Sequence, residues 1–290
     1  MKLYELINEA IEFPPNFRED ILAVLNKWIP FVKKNLGDDP IRAESKLLKD
    51  FDNTEKLSIK LENLLQPIIQ KIVDANILDY FGNMPKYTGH KILVRVFVID
   101  ESTNKTKERG SHGPQWTSVS SKLGRGYRND IHLNLFPSEL ISLINGDKKA
   151  LDELLATIEH ESTHSIQTLH SKFQNSKTRP SLYVKNKNLV HDSDHYYMNK
   201  HELSAFARGT VSKIESQANR ESNPIEYIDS CIEQIQMGRS NFPNQSYQTF
   251  IEKLKTQDSK HPIVNKLKQK LWRAYIKKTL FLLQELKSKF

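Results

Sequence analysis

Cysteine is nearly absent: the 290-residue chain contains one, Cys231. An internal disulfide is therefore excluded, as is a zinc site built on paired thiolates, and a lone thiol fits a reducing compartment. Glycine and proline are also sparse, at 10 and 12, which favours long helices over a turn-rich β fold. No apolar run approaches the ~20 residues that a membrane-spanning helix needs. The opening segment, MKLYELINEAIEF, interrupts its amphipathic pattern with Glu5, Glu9 and Glu12 and lacks the continuous apolar stretch of a secretion signal. These absences lead to the expectation of a cytoplasmic protein with no membrane span.

What is present is a polar chain that still has enough apolar content to fold, with 38% hydrophobic and 27% charged residues. The net charge is +8, and residues 251–290 hold 11 Lys/Arg against 3 Asp/Glu, or 11 − 3 = +8. The first 250 residues are therefore neutral overall, and the basic character belongs to the tail.

Apolar positions recur at helical spacing through most of residues 1–85, notably in ILAVLNKWIPFVKKNL and KLSIKLENLLQPIIQKIVDANILDYF, until Gly82 and Pro85 break the pattern. KILVRVFVID (91–100) alternates and is β-branched, so it reads as a strand. The following ESTNKTKERGSHGPQ reads as a loop in which His112 is a lone solvated histidine. WTSVS (116–120) reads as a short strand, SKLGRGYRND as a second turn-rich link, and IHLNLF (131–136) as another strand. Helical character then extends from Ser138 to about residue 173, with a turn near Asn145-Gly146. A polar loop covers 174–197, a helix fits 199–218, and three further helices follow Pro224, broken near Gly238–Pro243 and at Pro262.

The chemistry is concentrated in TIEHESTHSIQTLH, where His160-Glu161-Ser162-Thr163-His164 matches H-E-x-x-H. On a helix, residues four apart lie about 40° from one another, so both imidazoles can reach one cation and Glu161 can contact a water on it. With Ile158 at 0°, the stripe of Leu151, Leu154, Leu155, Ser162, Ser165, Ile166 and Leu169 spans roughly −40° to +80°, while His160 and His164 fall near 200° and 240°. The histidines thus project away from the apolar stripe, within which a buried structural histidine is more often found, and the bland alternative is two solvent-facing histidines on a surface helix.

Two residues compete to be the third ligand. His170 continues the run in H-E-x-x-H-x-x-Q-x-x-H, which resembles the metzincin pattern but has Gln167 where that family has the glycine that turns the chain. If the helix continues instead, His170 sits near 120° on the same wheel, about 80° and 120° from the two ligand histidines. The alternative is Glu202 in HELSAFARG (201–209), 38 residues after His164. On its helix Leu203, Phe206, Ala207, Val211 and Ile214 form an apolar stripe, while Glu202, Ala205 and Gly209 form a separate line of one carboxylate and two small residues.

The combination over about residues 130–210 resembles the gluzincin group of zincin metallopeptidases, whose third ligand is a Glu on a later helix, often followed three residues on by Ala, here Ala205. Some members carry Asp after that Ala, where this chain has Phe206. The resemblance implies a Zn²⁺ site of His160, His164 and Glu202 with one position left for water, and Glu161 as general base. It also implies that IHLNLF is an edge strand to which an extended substrate peptide can add. An oxyanion donor from elsewhere is implied too, for which Tyr197 is the first choice and His195, in the neighbouring loop, the second. HDSDH (191–195) offers His191, Asp192, Asp194 and His195 as further metal-binding side chains, but it reads first as a loop lining the cleft.

The basic tail contains a helical apolar face of Val264, Leu267, Leu271, Tyr275 and Leu282 opposite a lysine-rich face. It reads as a helix docked on the body with its lysines in solvent; the functional alternative is contact with nucleic acid or another anionic surface. The sequence therefore leads to an α+β, predominantly helical protein. Its N-terminal helical segment is expected at 1–85, a zincin-like core with a small mixed or antiparallel sheet packed on the HExxH helix at 86–220, and a C-terminal helical segment at 221–290. The expected activity is zinc-dependent hydrolysis of a peptide or protein substrate, one version being a peptidase acting on DNA-bound protein. The alternatives are an inactive zincin-like module that binds protein or nucleic acid through its basic helix, and a helical interaction protein in which the HExxH match is accidental.

Overall fold

The computed structural model describes residues 13–14, 16–37, 39–81, 91–100, 110–117, 126–170, 200–237 and 262–290. They form eight helices and three strands: α1 (Phe17–Leu36), α2 (Pro40–Lys49), α3 (Phe51–Phe81), β1 (Lys91–Val98), β2 (Gly110–Thr117), β3 (Gly126–Leu135), α4 (Pro137–Ile144), α5 (Lys148–His170), α6 (Lys200–Ala218), α7 (Pro224–Gln236) and α8 (Pro262–Lys287). The predominantly helical character and the small sheet agree with the expectation. None of the described helices is long and apolar enough to cross a membrane.

By internal contacts the chain divides into two compact units, one of residues 11–174 and one whose described part lies within 175–290. The described N-terminal helices, the sheet and the HExxH helix thus belong to one unit.

In the first unit, α1 buries Phe17, Ile21, Val24, Leu25, Trp28, Val32 and Leu36, a stripe at three- and four-residue spacing. Trp28 Nε1 donates to the Leu57 carbonyl at 3.0 Å, fastening α1 to α3. Gly37, at φ 89°, adopts the positive-φ backbone that ends α1 and that glycine permits. Lys46 Nζ then donates to the terminal carbonyls of Asn35 and Leu36, both at 3.1 Å. Asp39 opens α2 by accepting the amides of Ile41 and Arg42, with Pro40 in the first turn.

The sheet has the order β1–β3–β2, with β1 parallel to β3 and β2 antiparallel to it, so it is mixed. Alternation places Ile92, Val94, Val96, Ile131, Leu133 and Leu135 on the buried face, in one core with residues of α1–α5. The outer backbone edge of β1 is covered by side chains of α3. Glu62 Oε1 accepts from Val96 N at 2.8 Å, and Gln66 Oε1 from Val94 N at 3.1 Å. Gln66 Nε2 donates in turn to the Ile92 carbonyl.

Three strand expectations are corrected. IHLNLF is not an edge: it belongs to β3, which pairs on both sides. Residues 110–115, read as loop, form most of β2, so His112 lies in a strand opposite Ile131. The turn-rich link ends earlier than expected, because β3 already begins at Gly126. β2 tolerates Pro114 because an edge strand can leave a missing amide on its unpaired side.

In the second unit, α6, α7 and α8 share a core of Leu203, Phe206, Ala207, Val211 and Ile214 from α6, Ile228, Cys231, Ile232 and Ile235 from α7, and Leu271, Tyr275, Leu282, Leu283 and Leu286 from α8. Thr210 Oγ1 and the Tyr275 hydroxyl share a buried hydrogen bond of 2.5 Å, and Lys287 pairs with Asp229 at 2.6 Å. Leu271, Tyr275 and Leu282 of the expected apolar face of the basic tail are thus buried on a docked helix, while residues 251–261 and the side chains of Val264 and Leu267 lie outside the described residues. Lys270, Arg273 and Lys277 are exposed along it, whereas Lys278 is buried.

Candidate metal centre

Helix α5 follows Gly146, whose φ of 80° allows the turn out of α4. Asp147 caps it, the carboxylate accepting from Lys149 N at 2.8 Å. The apolar stripe behaves as expected: Leu154, Leu155, Ile158 and Ile166 are buried, together with Ser162 and Ser165. The helix lies against β2, β3, α1, α3 and α4.

The opposite side of α5 is buried as well, which the wheel alone does not reveal. His164 and Glu161 are each 3% exposed, and His160 is half-buried. Two hydroxyls in the buried stretch are satisfied within the helix: Thr163 Oγ1 donates to the Glu159 carbonyl at 2.8 Å, and Ser165 Oγ to the Glu161 carbonyl at 3.4 Å. Small hydroxylated residues therefore let a polar helix segment pack tightly. Ser162 Oγ is buried and has no hydrogen-bond partner among the described residues.

The Nε2 atoms of His160 and His164 are 3.2 Å apart, and their rings cross at 82° with centroids 4.8 Å apart. Two nitrogens each ~2.0–2.1 Å from a tetrahedral zinc are ~3.3–3.4 Å apart. The pair is thus already spaced as one edge of such a coordination sphere. Without an ion the same approach is a single hydrogen bond, which needs one ring protonated on Nε2 and the other not.

Glu202 lies in the first turn of α6 and is 1% exposed, with Ala205 fully buried one turn on. His160 and His164 lie in the first unit and Glu202 in the second, and the three are the one group among the described residues whose side chains could hold a metal ion. His170 is not arranged as in the metzincin pattern: α5 continues as a helix through Gln167 to His170. Continued helix sets it about 120° away from His164 around the axis. Tyr197 and His195, and with them the HDSDH stretch, lie outside the described residues.

One feature of the surroundings had no sequence signal. Arg18, from the first turn of α1, forms a buried ion pair with Glu159, the residue before His160, at 2.9 Å. An acidic residue on the flank of an amphipathic helix reads as solvated, and only the tertiary placement of α1 makes it buried.

No known protein family, no curated protein and no solved structure matches the chain, so the likeness to zincins rests on the residues and geometry given above.

Proposed function

We propose that the protein is a zinc-dependent peptide hydrolase with a zincin-like core, in which His160, His164 and Glu202 hold one Zn²⁺ and Glu161 is the general base. The observation that carries this reading is the 3.2 Å approach of the two Nε2 atoms. The burial of Glu202, and the chemistry of His160, His164 and Glu202 as a group able to hold a metal ion, support it. The donor set suits the ion: two imidazole nitrogens and one carboxylate leave one of four positions open, as in catalytic zinc sites.

A zinc ion held by His160, His164 and Glu202 would supply Lewis acidity, for polarising a peptide carbonyl and for making a water acidic near neutral pH. Glu161 follows His160 directly and is shielded from bulk solvent, so its carboxylate can take the water's proton and return it to the leaving amine. Tyr197, or failing it His195, donates to the oxyanion in this scheme. The substrate is a peptide or protein chain, and with β3 internal it adds to the outer edge of β2. The lone thiol suits a reducing cytoplasm.

Glu161→Gln tests the reading. The variant should hold about one zinc per chain yet cleave peptides at least ~100-fold more slowly. A variant as active as wild type removes Glu161 from the mechanism.

The exposure of Lys270, Arg273 and Lys277 along α8 favours one alternative, a non-catalytic zincin-like module that contacts nucleic acid or an anionic protein. In that case, reversing the three charges weakens binding to duplex DNA and flattens its salt dependence. A wild-type protein that ignores duplex DNA at low salt dismisses the nucleic-acid form of this alternative.

A further inference from the structure

The Arg18–Glu159 pair joins residues 141 positions apart, and its side chains are 7% and 1% exposed. It links the first turn of α1 to α5 at the position next to His160. As a stability device it is poorly built. Only Oε1 of Glu159 meets the guanidinium, and the buried Oε2 has no hydrogen-bond partner among the described residues. Burying two charges forfeits their hydration, and apolar side chains of similar volume often serve stability as well or better.

A directional bond does one thing that apolar packing does poorly: it fixes a rotation. The stripe of α5 is a smooth mixture of Leu, Ile and Ser, which tolerates turning of the helix about its axis. Each residue step is about 100°, so Glu159 stands between Ile158 in the core and His160 at the candidate centre. An ion pair at that angle holds both sides at once. We propose that Arg18 and Glu159 are positioning residues for His160 and His164, their ion pair setting the rotation of α5 so that both imidazoles face a single divalent ion. The inference rests on the metal reading above and deepens it.

The test uses the full-length chain as wild type, His160→Ala, and the paired variant Arg18→Met with Glu159→Leu. Three quantities are measured: zinc affinity by chelator competition, thermal unfolding without metal, and the absorption spectrum of the cobalt(II)-loaded protein. The paired variant should unfold, metal-free, at the wild-type temperature or above. It should nonetheless bind zinc at least ~10-fold more weakly and give a displaced cobalt spectrum. A paired variant with wild-type zinc affinity and cobalt spectrum overturns the proposal. If the paired variant does not fold, Glu159→Asp decides, since it withdraws the carboxylate by one methylene. Weaker zinc binding in that folded variant supports positioning, and unchanged binding overturns it. A wild type that binds no zinc overturns the metal reading and this inference with it. Loss in His160→Ala but not in the variants at 18 and 159 overturns this inference alone.

Discussion

His160 and His164 present their Nε2 atoms to each other across 3.2 Å, with the rings nearly perpendicular. Two imidazoles one helical turn apart have many rotamers that do not converge. Their convergence in a segment where His164 and Glu161 are shielded from water is what favours the proposed metal-binding helix over two histidines on a solvated surface.

The first prediction follows from linkage. An ion that binds only the folded chain stabilises it by about 2.7 kcal/mol at a free concentration 100 times the dissociation constant. Wild-type protein should therefore gain several degrees in unfolding temperature as zinc is added to the metal-free form. His160→Ala and His164→Ala should lose most of that gain, each measured against its own metal-free unfolding temperature. Scanning fluorimetry over a zinc series measures it, and equal responses in all three proteins would argue against a shared ion.

The second concerns the edge of β1. Glu62 and Gln66 occupy three backbone groups that would otherwise lie open or unsatisfied. Removing a partner from a buried or half-buried backbone group costs roughly 1–3 kcal/mol. Gln66→Ala should fall in that range, and Gln66→Ala with Glu62→Ala should cost more. Lys71→Ala, which removes an exposed pair with Asp20, should cost no more than about 1 kcal/mol. Urea denaturation ranks the three, and a Gln66 variant as stable as wild type would show that the contact carries no weight.

The third is a dependence on alkaline pH. Burial raises the pKa of Tyr227, with Cys231 beside it adding to the effect, and burial likewise raises that of the Cys231 thiol, partly offset by its hydrogen bond with Tyr227. Both groups are neutral when protonated, and both hold their protons more tightly folded than unfolded. Their contribution to stability is therefore complete below the ordinary values of 9.0 for the thiol and 10.0 for the phenol, and it declines as pH rises above them toward the folded values. Unfolding temperature should be insensitive to these groups from pH 6 to 8 and fall above about pH 9. Cys231→Ala should make that alkaline fall shallower, and an identical slope would contradict the coupling.

Much of this was legible in the sequence, and the misses share one cause. The α4–α5 boundary at Asn145-Gly146, the helix carrying Glu202 and the apolar face of α8 follow from periodicity and turn chemistry, which are local. GSHGPQ has little strand propensity and becomes β2 through its pairing with β3, and IHLNLF becomes a central strand for the same reason. A strand's place in a sheet depends on partners remote in sequence. The helical wheel placed His160 and His164 correctly relative to the stripe, but a wheel does not say what covers the other side. Arg18 belongs to the same class, since its meaning comes from a residue 141 positions away.

The central claim is that His160, His164 and Glu202 share one divalent ion, and X-ray absorption at the zinc edge of the purified, zinc-loaded protein tests it most directly. The account predicts one zinc per chain in a four-coordinate nitrogen and oxygen environment with two imidazoles and no sulfur, and loss of one oxygen ligand or of the metal itself in Glu202→Ala. A protein that holds no zinc after loading, or one whose zinc environment is unchanged in Glu202→Ala, would contradict it.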